Sequence, residues 1–245
     1  MTASPEIRIA ETAEEAVSVA VGEWRTALED GTPERPRRAL LAGGSTPASL
    51  YRALAEPGRV PRAHWRSIEC FFGDERCVPP DHPDSNEGMV RRALLEPLGD
   101  DAPRVHRMRG EAPDPERAAR EYETLMRERF QTPPPAVPTF DLALQGLGED
   151  GHTASLFPGV MPDPERLVVP VTKPADGSAR ITVTYRLLRE ARVLLFFVLG
   201  ATKAAAVAST LRSRAQHPTP AALAMSGHGR SIWVLDRAAA SAVLV

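Results

Sequence analysis

The sequence lacks an apolar run long enough to cross a membrane. Its longest fully apolar run, residues 193–201, has nine residues, whereas a transmembrane helix needs about 20. Cysteine is scarce as well, because only Cys70 and Cys77 occur, and two are too few for a disulfide scaffold. Residues 1–6 carry neither a basic stretch nor an apolar core, so no export signal is visible. We therefore expect a cytosolic protein with no membrane partner.

Neither sign of charge is in excess. The 30 Lys and Arg residues and the 32 Asp and Glu residues give 30 − 32, a formal net charge of −2. This balance argues against a nucleic-acid partner. The six histidines and two cysteines show none of the spacings that hold zinc, so we expect no metal ion. A hydrophobic content of 42% allows a folded core, and 245 residues suit a single α/β domain over 1–245.

Hydrophobic periodicity predicts alternating helices and strands. The predicted helices cover 13–29, a segment from Pro47 onward with Thr46 as its N-cap, 86–95, 114–130 and 203–211. The predicted strands cover 38–42, 67–72, 140–144, 181–185, 193–199 and 231–235. Short strands that alternate with helices indicate an open, mostly parallel sheet with helices on both faces, a Rossmann-like α/β fold.

Four of these strands end in polar loops that contain glycine. The glycines are Gly43, Gly73, Gly146 and Gly200. In open α/β sheets, ligands bind outside the carboxyl ends of the strands. We therefore expect the functional site at this edge of the sheet.

The first of these loops has the features of a phosphate site. Gly43 and Gly44 allow close approach of the backbone, Ser45 and Thr46 supply hydroxyls, and a helix follows. The free N–H groups and positive dipole of a helix N-terminus suit an anion. The alternative is an ordinary strand-to-helix turn in which Thr46 only caps the helix.

A lysine in the last loop supports the phosphate interpretation. The chain has two lysines, Lys173 and Lys203, among its 30 basic residues. Because arginine and lysine are physically distinct, a lysine in so arginine-rich a chain is a candidate for a specific role. Lys203 lies in the first turn of a predicted helix, where the helix dipole disfavours a cation unless an anion binds there as well. Alternatively, Lys203 extends into solvent and its charge is screened. We interpret Lys203 and the loop at 43–46 as two sides of one phosphate site.

The loop at 145–158 contains an acid–histidine pair. Asp150 precedes His152 by two residues in a glycine-rich turn after a buried strand. A carboxylate can orient the imidazole, and histidine titrates near neutral pH, which suits a general base. The alternative is a structural histidine that satisfies loop carbonyls. The flanking glycines and the position at a strand end favour catalysis.

The loop at 73–76 supplies charged groups at a third strand end. Asp74 could bind sugar hydroxyls, and Arg76 could clamp an anion with two parallel hydrogen bonds. Alternatively, Asp74 and Arg76 form a surface ion pair that contributes little to the free energy of unfolding. Cys77 has no evident base and fits a half-buried structural thiol. The segment 84–86 includes Asn86, the single asparagine of the chain. Capping of the following helix is a sufficient explanation for these polar residues.

Taken in order, these motifs resemble the 6-phosphogluconolactonase family. The matching segments are LAGGSTP at 41–47, GDERCVP at 73–79, DSN at 84–86, GEDGHTASLFP at 148–158, RITVT at 180–184 and GATKA at 200–204. The resemblance runs from about residue 8 to about residue 240, nearly the whole chain. The segment at 148–158 is its most specific part.

The resemblance implies a fold shared with glucosamine-6-phosphate deaminases and ribose-5-phosphate isomerases. It also implies hydrolysis of 6-phospho-D-glucono-1,5-lactone in the pentose phosphate pathway, with no cofactor, and we expect a monomer. By the same resemblance His152 is the general base and Asp150 orients it. The residues assigned to the phosphate are Gly43, Gly44, Ser45, Thr46, Arg76 and Lys203, and those assigned to the rest of the substrate are Asp74, Asn86 and Arg180.

The sequence departs from the family pattern at Arg189, where an asparagine is common. Two other functions remain open. Amino-sugar phosphate deaminases share the acid–histidine loop, but they resemble DGHIAFNEP, with a carboxylate where this chain has Phe157. A sugar-phosphate sensor would need no His152 and would usually carry a DNA-binding segment, for which neither end of the chain offers room or charge. Hydrolysis is the interpretation we favour.

Overall fold

The structure is a computed structural model that describes residues 4–212, 218–225 and 229–244. Residues 1–3, which belong to the segment considered above as an export signal, lie outside the described residues. In the described part of the chain the strands are β1 (Glu6–Ala10), β2 (Arg37–Leu41), β3 (Ile68–Phe72), β4 (Asp74–Arg76), β5 (Arg104–His106), β6 (Leu142–Gln145), β7 (Val168–Thr172), β8 (Ala179–Val183), β9 (Val193–Val198) and β10 (Arg230–Asp236).

The helices of the described residues vary from single turns to four turns. They are α1 (Ala13–Leu28), α2 (Ser45–Ala55), α3 (Arg62–Trp65), α4 (Asn86–Val90), α5 (Glu96–Leu98), α6 (Pro115–Phe130), α7 (Tyr185–Leu188), α8 (Ala204–Leu211), α9 (Pro220–Ala224) and α10 (Arg237–Ala240). A π-helical turn at Arg91–Leu95 joins α4 to α5, and a 3-10 turn at Ala201–Lys203 precedes α8. No helix among the described residues is both long and apolar enough to cross a membrane.

Seven strands form one parallel sheet in the order β1-β10-β9-β6-β2-β3-β5. Helices flank the sheet, which confirms the predicted open, mostly parallel α/β architecture. The interior strands β3 and β9 are buried along their whole length, as expected of strands covered on both faces. The stacked rings of Phe196 and Trp233 lie in this core.

A second, three-stranded sheet is antiparallel, with the order β4-β8-β7. The sequence predicted only β8 in this sheet, at 181–185, two residues later than its observed position. It missed β4 because Asp-Glu-Arg has no apolar alternation, and it missed β7, which contains Pro170. This small sheet matters for the site because β4 follows β3 directly.

The prediction that Thr46 caps helix α2 is wrong. The helix begins at Ser45, its N-cap is Gly44, and no side chain makes a capping hydrogen bond. Gly44 has φ of +100°, a conformation that glycine adopts without steric cost, so the chain enters the helix there rather than at Thr46. Pro47 is accordingly the third helical residue.

A buried carboxylate neutralises several arginines near the amino ends of β2, β3 and β5. The Glu69 side chain is 2% exposed, and its carboxylate pairs with Arg38, Arg104 and Arg129 and lies 3.8 Å from Nε2 of His106. Burial alone would raise the pKa of Glu69. The hydrogen bond from Arg129 and the neighbouring positive charges outweigh that effect, so the pKa of the carboxyl is lowered.

We expect Glu69→Gln to lower the free energy of unfolding at neutral pH by about 2 kcal/mol, the usual value of hydrogen bonds to a charged group. Because folding lowers the pKa of Glu69, its stabilising effect is present above the ordinary carboxyl pKa and is lost as pH falls through the lowered pKa. Urea denaturation of both proteins from neutral to acidic pH should show the difference shrinking. Glu56→Gln, which removes an exposed ion pair with Arg59, is the control. A pH-independent difference would contradict this account.

Candidate active site

The sheet order brings the four glycine loops together. Strands β9, β6, β2 and β3 are consecutive neighbours, so the loops after them meet at one edge. These loops, together with β4 and the start of α4, enclose a cavity of about 230 Å³. The predicted site residues that line it are Gly43, Gly44, Ser45, Thr46, Asp74, Arg76, Asn86, His152 and Lys203. Asp150 and Arg180 are not part of the lining.

The N-terminus of α2 faces this cavity with unused hydrogen-bond donors. Ser45 and Thr46 line the cavity, and their backbone N–H groups donate to no group within the described ranges. Because α2 lacks a side-chain cap, the partial positive charge of the helix end is not offset by the protein. The arrangement suits an anion such as phosphate.

Lys203 supplies a full positive charge to the same cavity. It is the last residue of the 3-10 turn after β9, one residue before α8, and not within the first turn of the helix as predicted. Its Nζ lies 3.9 Å from Oε1 of Glu149, a residue that sequence reasoning overlooked. The Glu149 side chain is 66% exposed, so this pair contributes little and leaves the ammonium available.

The imidazole of His152 is held from one side and open on the other. Nδ1 of His152 lies 2.5 Å from Oδ1 of Asp150, and the same oxygen accepts the backbone N–H of His152 at 3.1 Å. Nε2 has no hydrogen-bond partner within the described residues, and the ring lines the cavity. Asp150 therefore sits behind the ring, where it can orient the imidazole without contacting a bound molecule.

The pKa of Asp150 fits this orienting role. Partial burial of the carboxyl would raise its pKa, but the hydrogen bonds from the backbone and ring of His152 outweigh burial, so the pKa is lowered. The carboxylate is therefore ionised at neutral pH. An ionised acceptor at Nδ1 places the ring proton on that nitrogen and leaves Nε2 of the neutral ring free to accept a proton.

Glycine is required beneath the imidazole. A Cβ atom on Gly148 would lie 2.0 Å from Nδ1 and 2.2 Å from Cε1 of His152. The ring thus packs directly on the backbone of Gly148, whose N–H donates to the carbonyl of His152 at 2.8 Å. On another side, the centroid of the Phe157 ring lies 5.1 Å from that of His152.

Asp74 is a buried residue of the cavity wall that accepts hydrogen bonds from two other segments of the wall. Its Oδ2 accepts a hydrogen bond from Oγ of Ser155 at 2.7 Å, and its Oδ1 accepts one from Nδ2 of Asn86 at 3.1 Å. The Asn86 amide packs against Gly43, where a Cβ atom would lie 1.9 Å from Oδ1 of Asn86. Asp74 thus links three segments of the wall, and the capping of α4 falls to Ser85.

Glu75 anchors the start of α4 to β4, a role that the sequence did not reveal. Its buried carboxylate accepts backbone N–H groups from Arg76, Asn86 and Glu87. Burial raises the pKa of Glu75, and these hydrogen bonds only partly offset the effect. The Arg76 guanidinium in turn donates to the carbonyl of Asp84. The long loop between β4 and α4 is therefore fixed at both of its ends.

Arg180 lies next to the site but not on the cavity surface. It pairs with Arg76 across the β4–β8 ladder, and its guanidinium donates to Oγ of Ser178. Burial, followed by the charge of Arg76, lowers the pKa of Arg180. A substrate contact by Arg180 stays a prediction. Arg189, the departure from the family pattern, donates to the Leu223 carbonyl outside the cavity.

The described residues of this site offer neither a metal cluster nor a reactive thiol. Among the residues that the structure describes, no group of three or more His, Cys, Asp or Glu side chains is placed to hold a metal ion. Cys77 is half-buried, and burial raises the pKa of its thiol, which makes the thiolate scarce.

Comparisons with known proteins agree on one family. The sequence model described as "Glucosamine-6-phosphate isomerases/6-phosphogluconolactonase" matches residues 11–233. A 6-phosphogluconolactonase of Synechocystis sp. is 41% identical over 201 residues, 81% of each chain. The structure of 6-phosphogluconolactonase from Trypanosoma cruzi superimposes with a TM-score of 0.86 at 26% identity, covering 100% of this chain and 99% of that one.

A glucosamine-6-phosphate deaminase shares the fold. The structure of this monomeric enzyme superimposes with a TM-score of 0.81 at 22% identity, covering 97% of this chain and 99% of the deaminase. At that level of identity the likeness concerns the fold alone. The choice between the two activities must therefore come from the residues of the cavity.

We expect Gly148→Ala to displace the imidazole of His152, because the added Cβ would overlap the ring. The nitrogen chemical shifts of the His152 ring should change and the Nδ1–H signal should be lost, while thermal unfolding stays close to that of the parent protein. Gly22→Ala is the control, because a Cβ there meets nothing within 4 Å. Unchanged ring signals in Gly148→Ala would contradict the observed packing.

Proposed function

The chain belongs to the family of glucosamine-6-phosphate isomerases and 6-phosphogluconolactonases, and on that premise we propose that it is a 6-phosphogluconolactonase. It would hydrolyse 6-phospho-D-glucono-1,5-lactone to 6-phospho-D-gluconate, a step of the pentose phosphate pathway. The observation that carries this proposal is the orientation of His152. Its Nδ1 is bound to Asp150, and its Nε2 has no partner among the described residues, while His152 lines a cavity that also holds unused anion-binding groups.

His152 is proposed as the general base. Nε2 takes a proton from a water molecule as the water oxygen attacks the lactone carbonyl carbon, which gives a tetrahedral oxyanion. Collapse of this intermediate breaks the bond between that carbon and the ring oxygen. The imidazolium returns its proton to the departing ring oxygen, which becomes a hydroxyl, and the carboxylic acid formed loses a proton to solvent. Asp150 stabilises the imidazolium between the two transfers.

The phosphate group would be held at the opposite end of the substrate. The N–H groups of Ser45 and Thr46 at the start of α2 and the ammonium of Lys203 offer it hydrogen bonds and positive charge. Arg76 supplies a further cation on the cavity wall. A substrate anchored in this way presents its ring to His152 in a fixed orientation, which lowers the entropic cost of reaction.

Phe157 favours hydrolysis over deamination. At this position the deaminase pattern has a carboxylate that assists opening of the sugar ring, whereas here a buried aromatic ring packs against His152. A sensor that binds sugar phosphates without chemistry would have no use for the Asp150–His152 pair. We also propose that the chain acts as a single domain, because one cavity draws on loops from residue 42 to residue 203.

A direct assay separates these functions. Freshly prepared 6-phosphogluconolactone is added to the purified protein, and acid release is followed by pH-stat beside the spontaneous rate. Glucosamine 6-phosphate is tested in parallel with detection of ammonia. We expect acid release well above the spontaneous rate and no ammonia. The reverse result would identify a deaminase, and binding of both compounds without turnover would identify a sensor.

We expect His152→Ala to lower kcat by roughly 10²–10⁴-fold, the usual contribution of a general base. Affinity for the product 6-phosphogluconate, measured by calorimetry, should change little, because the phosphate groups are untouched. His64→Ala, a substitution of a histidine outside the cavity lining, is the control. Full activity in purified His152→Ala would remove this residue from its role.

We expect Lys203→Ala to raise KM for the phosphorylated lactone by about tenfold or more with a smaller effect on kcat, since a charge-assisted contact is lost. Lys173→Ala is a matched control, because the other lysine pairs with Asp176 and does not line the cavity. Steady-state kinetics of the three proteins at one ionic strength make the comparison. Equal KM values in all three would place the phosphate elsewhere.

A further inference from the structure

A residue of the cavity wall adopts an unusual backbone conformation. Ala154 follows His152 by two positions, lines the cavity and has φ of +48°. This left-handed conformation costs a non-glycine residue about 1–2 kcal/mol, because Cβ approaches the following carbonyl oxygen. Such a conformation persists only where its surroundings hold it, and it is concentrated at functional sites.

Buried hydrogen bonds hold the chain on both sides of Ala154. Before it, the Thr153 hydroxyl lies 2.8 Å from Oε1 of Gln145 and 2.9 Å from the carbonyl of Gly146. After it, the N–H of Ser155 donates to Oγ1 of Thr182, a residue of β8, at 3.2 Å. The left-handed turn is thus tied to the large sheet at one end and to the small sheet at the other.

The Ser155 hydroxyl extends this connection to the opposite wall of the cavity. Ser155 is 1% exposed and does not line the cavity, yet its Oγ donates to Oδ2 of Asp74 at 2.7 Å. Asp74 also accepts the Asn86 amide, which packs against Gly43 in the loop before α2. One serine therefore joins the loop that carries the imidazole to the wall that carries the anion-binding helix.

We propose that Ser155 is a positioning residue for the lactonase reaction. It holds the Ala154 turn in its left-handed conformation and so sets the distance between the imidazole of His152 and a substrate bound at α2. Ser155 contacts no substrate itself. The inference rests on the proposed function for its kinetic readout, and on the observed contacts of Asp74 and Thr182 for its geometry.

The test compares Ser155→Ala with the parent enzyme. We expect kcat to fall by about tenfold to a hundredfold, as small misplacements of a catalytic group do, while KM stays within about twofold because the helix and Lys203 are intact. Ser67→Ala is the matched control, since Ser67 is also buried and its hydroxyl donates one hydrogen bond, to the His64 carbonyl, at the other end of β3. It should lose comparable stability and keep its kcat.

A second substitution separates positioning from general stability. Glycine at position 154 removes the Cβ penalty, so Ser155→Ala combined with Ala154→Gly should recover part of the lost kcat. Thr182→Val, which removes the acceptor for the Ser155 N–H with little change in shape, should lower kcat in the same direction as Ser155→Ala. It takes the place of Ser155→Ala if that protein does not fold.

Several results would overturn the inference. A parental kcat in Ser155→Ala and Thr182→Val would do so, as would losses of kcat equal to those of Ser67→Ala, or no recovery in the double variant. An inactive parent enzyme instead contradicts the proposed function. In that event the nitrogen chemical shifts of the His152 ring in parent and Ser155→Ala decide the matter, and identical shifts overturn the positioning role.

Discussion

The hydrogen bond between His152 and Asp150 is the interaction on which the rest of the site depends. The ionised carboxylate favours a proton on Nδ1, and Nε2 of this cavity-lining residue has no hydrogen-bond partner among the described residues. The bond forms between residues only two positions apart, so the backbone must turn sharply and pass under the ring. Gly148 provides the space, and Gly151, with φ of +82°, provides the turn. The glycine content of this loop is a steric consequence of the acid–histidine contact.

The second constraint is electrostatic and comes from helices that lack caps. Among the described helices of eight or more residues, α1 and α6 have side-chain caps from Thr12 and Asp114, whereas α2 and α8 have none. The two uncapped helices are those whose preceding residues, Gly44 and Lys203, line the cavity. At α8 the N–H of Ala204 already donates to the carbonyl of Ala201 in the preceding 3-10 turn. The N–H groups of Ser45 and Thr46 at the start of α2, which donate to no group among the described residues, would cost stability in a buried loop, but at a cavity they remain available to a ligand. Binding an anion there completes hydrogen bonds that the protein leaves open.

The sequence predicted β2, β3, β6, β9 and β10 of the large sheet because these strands carry the apolar runs that burial imposes. It missed the edge strands β1 and β5, which are partly exposed. It also predicted which loops meet, since consecutive strands that end in glycine lie side by side in such a fold. The small sheet escaped prediction because β4 is short and polar, and its pairing with β8 depends on residues about 100 positions away. For the same reason the roles of Glu75 and Ser155 were not visible, because both act through long-range hydrogen bonds.

The residue next to the imidazole bears on the proposed choice between hydrolysis and deamination. In the proposed hydrolysis one group takes a proton from water and returns it to the departing ring oxygen, and His152 is the group proposed for both transfers. Opening and deaminating an amino sugar moves protons at more than one position, which calls for a further acid or base. Phe157 can pack against the ring but can neither donate nor accept a proton, so this position supplies no second acid or base beside His152. The same aromatic ring is buried and so covers part of one side of the imidazole, while His152 lines the cavity.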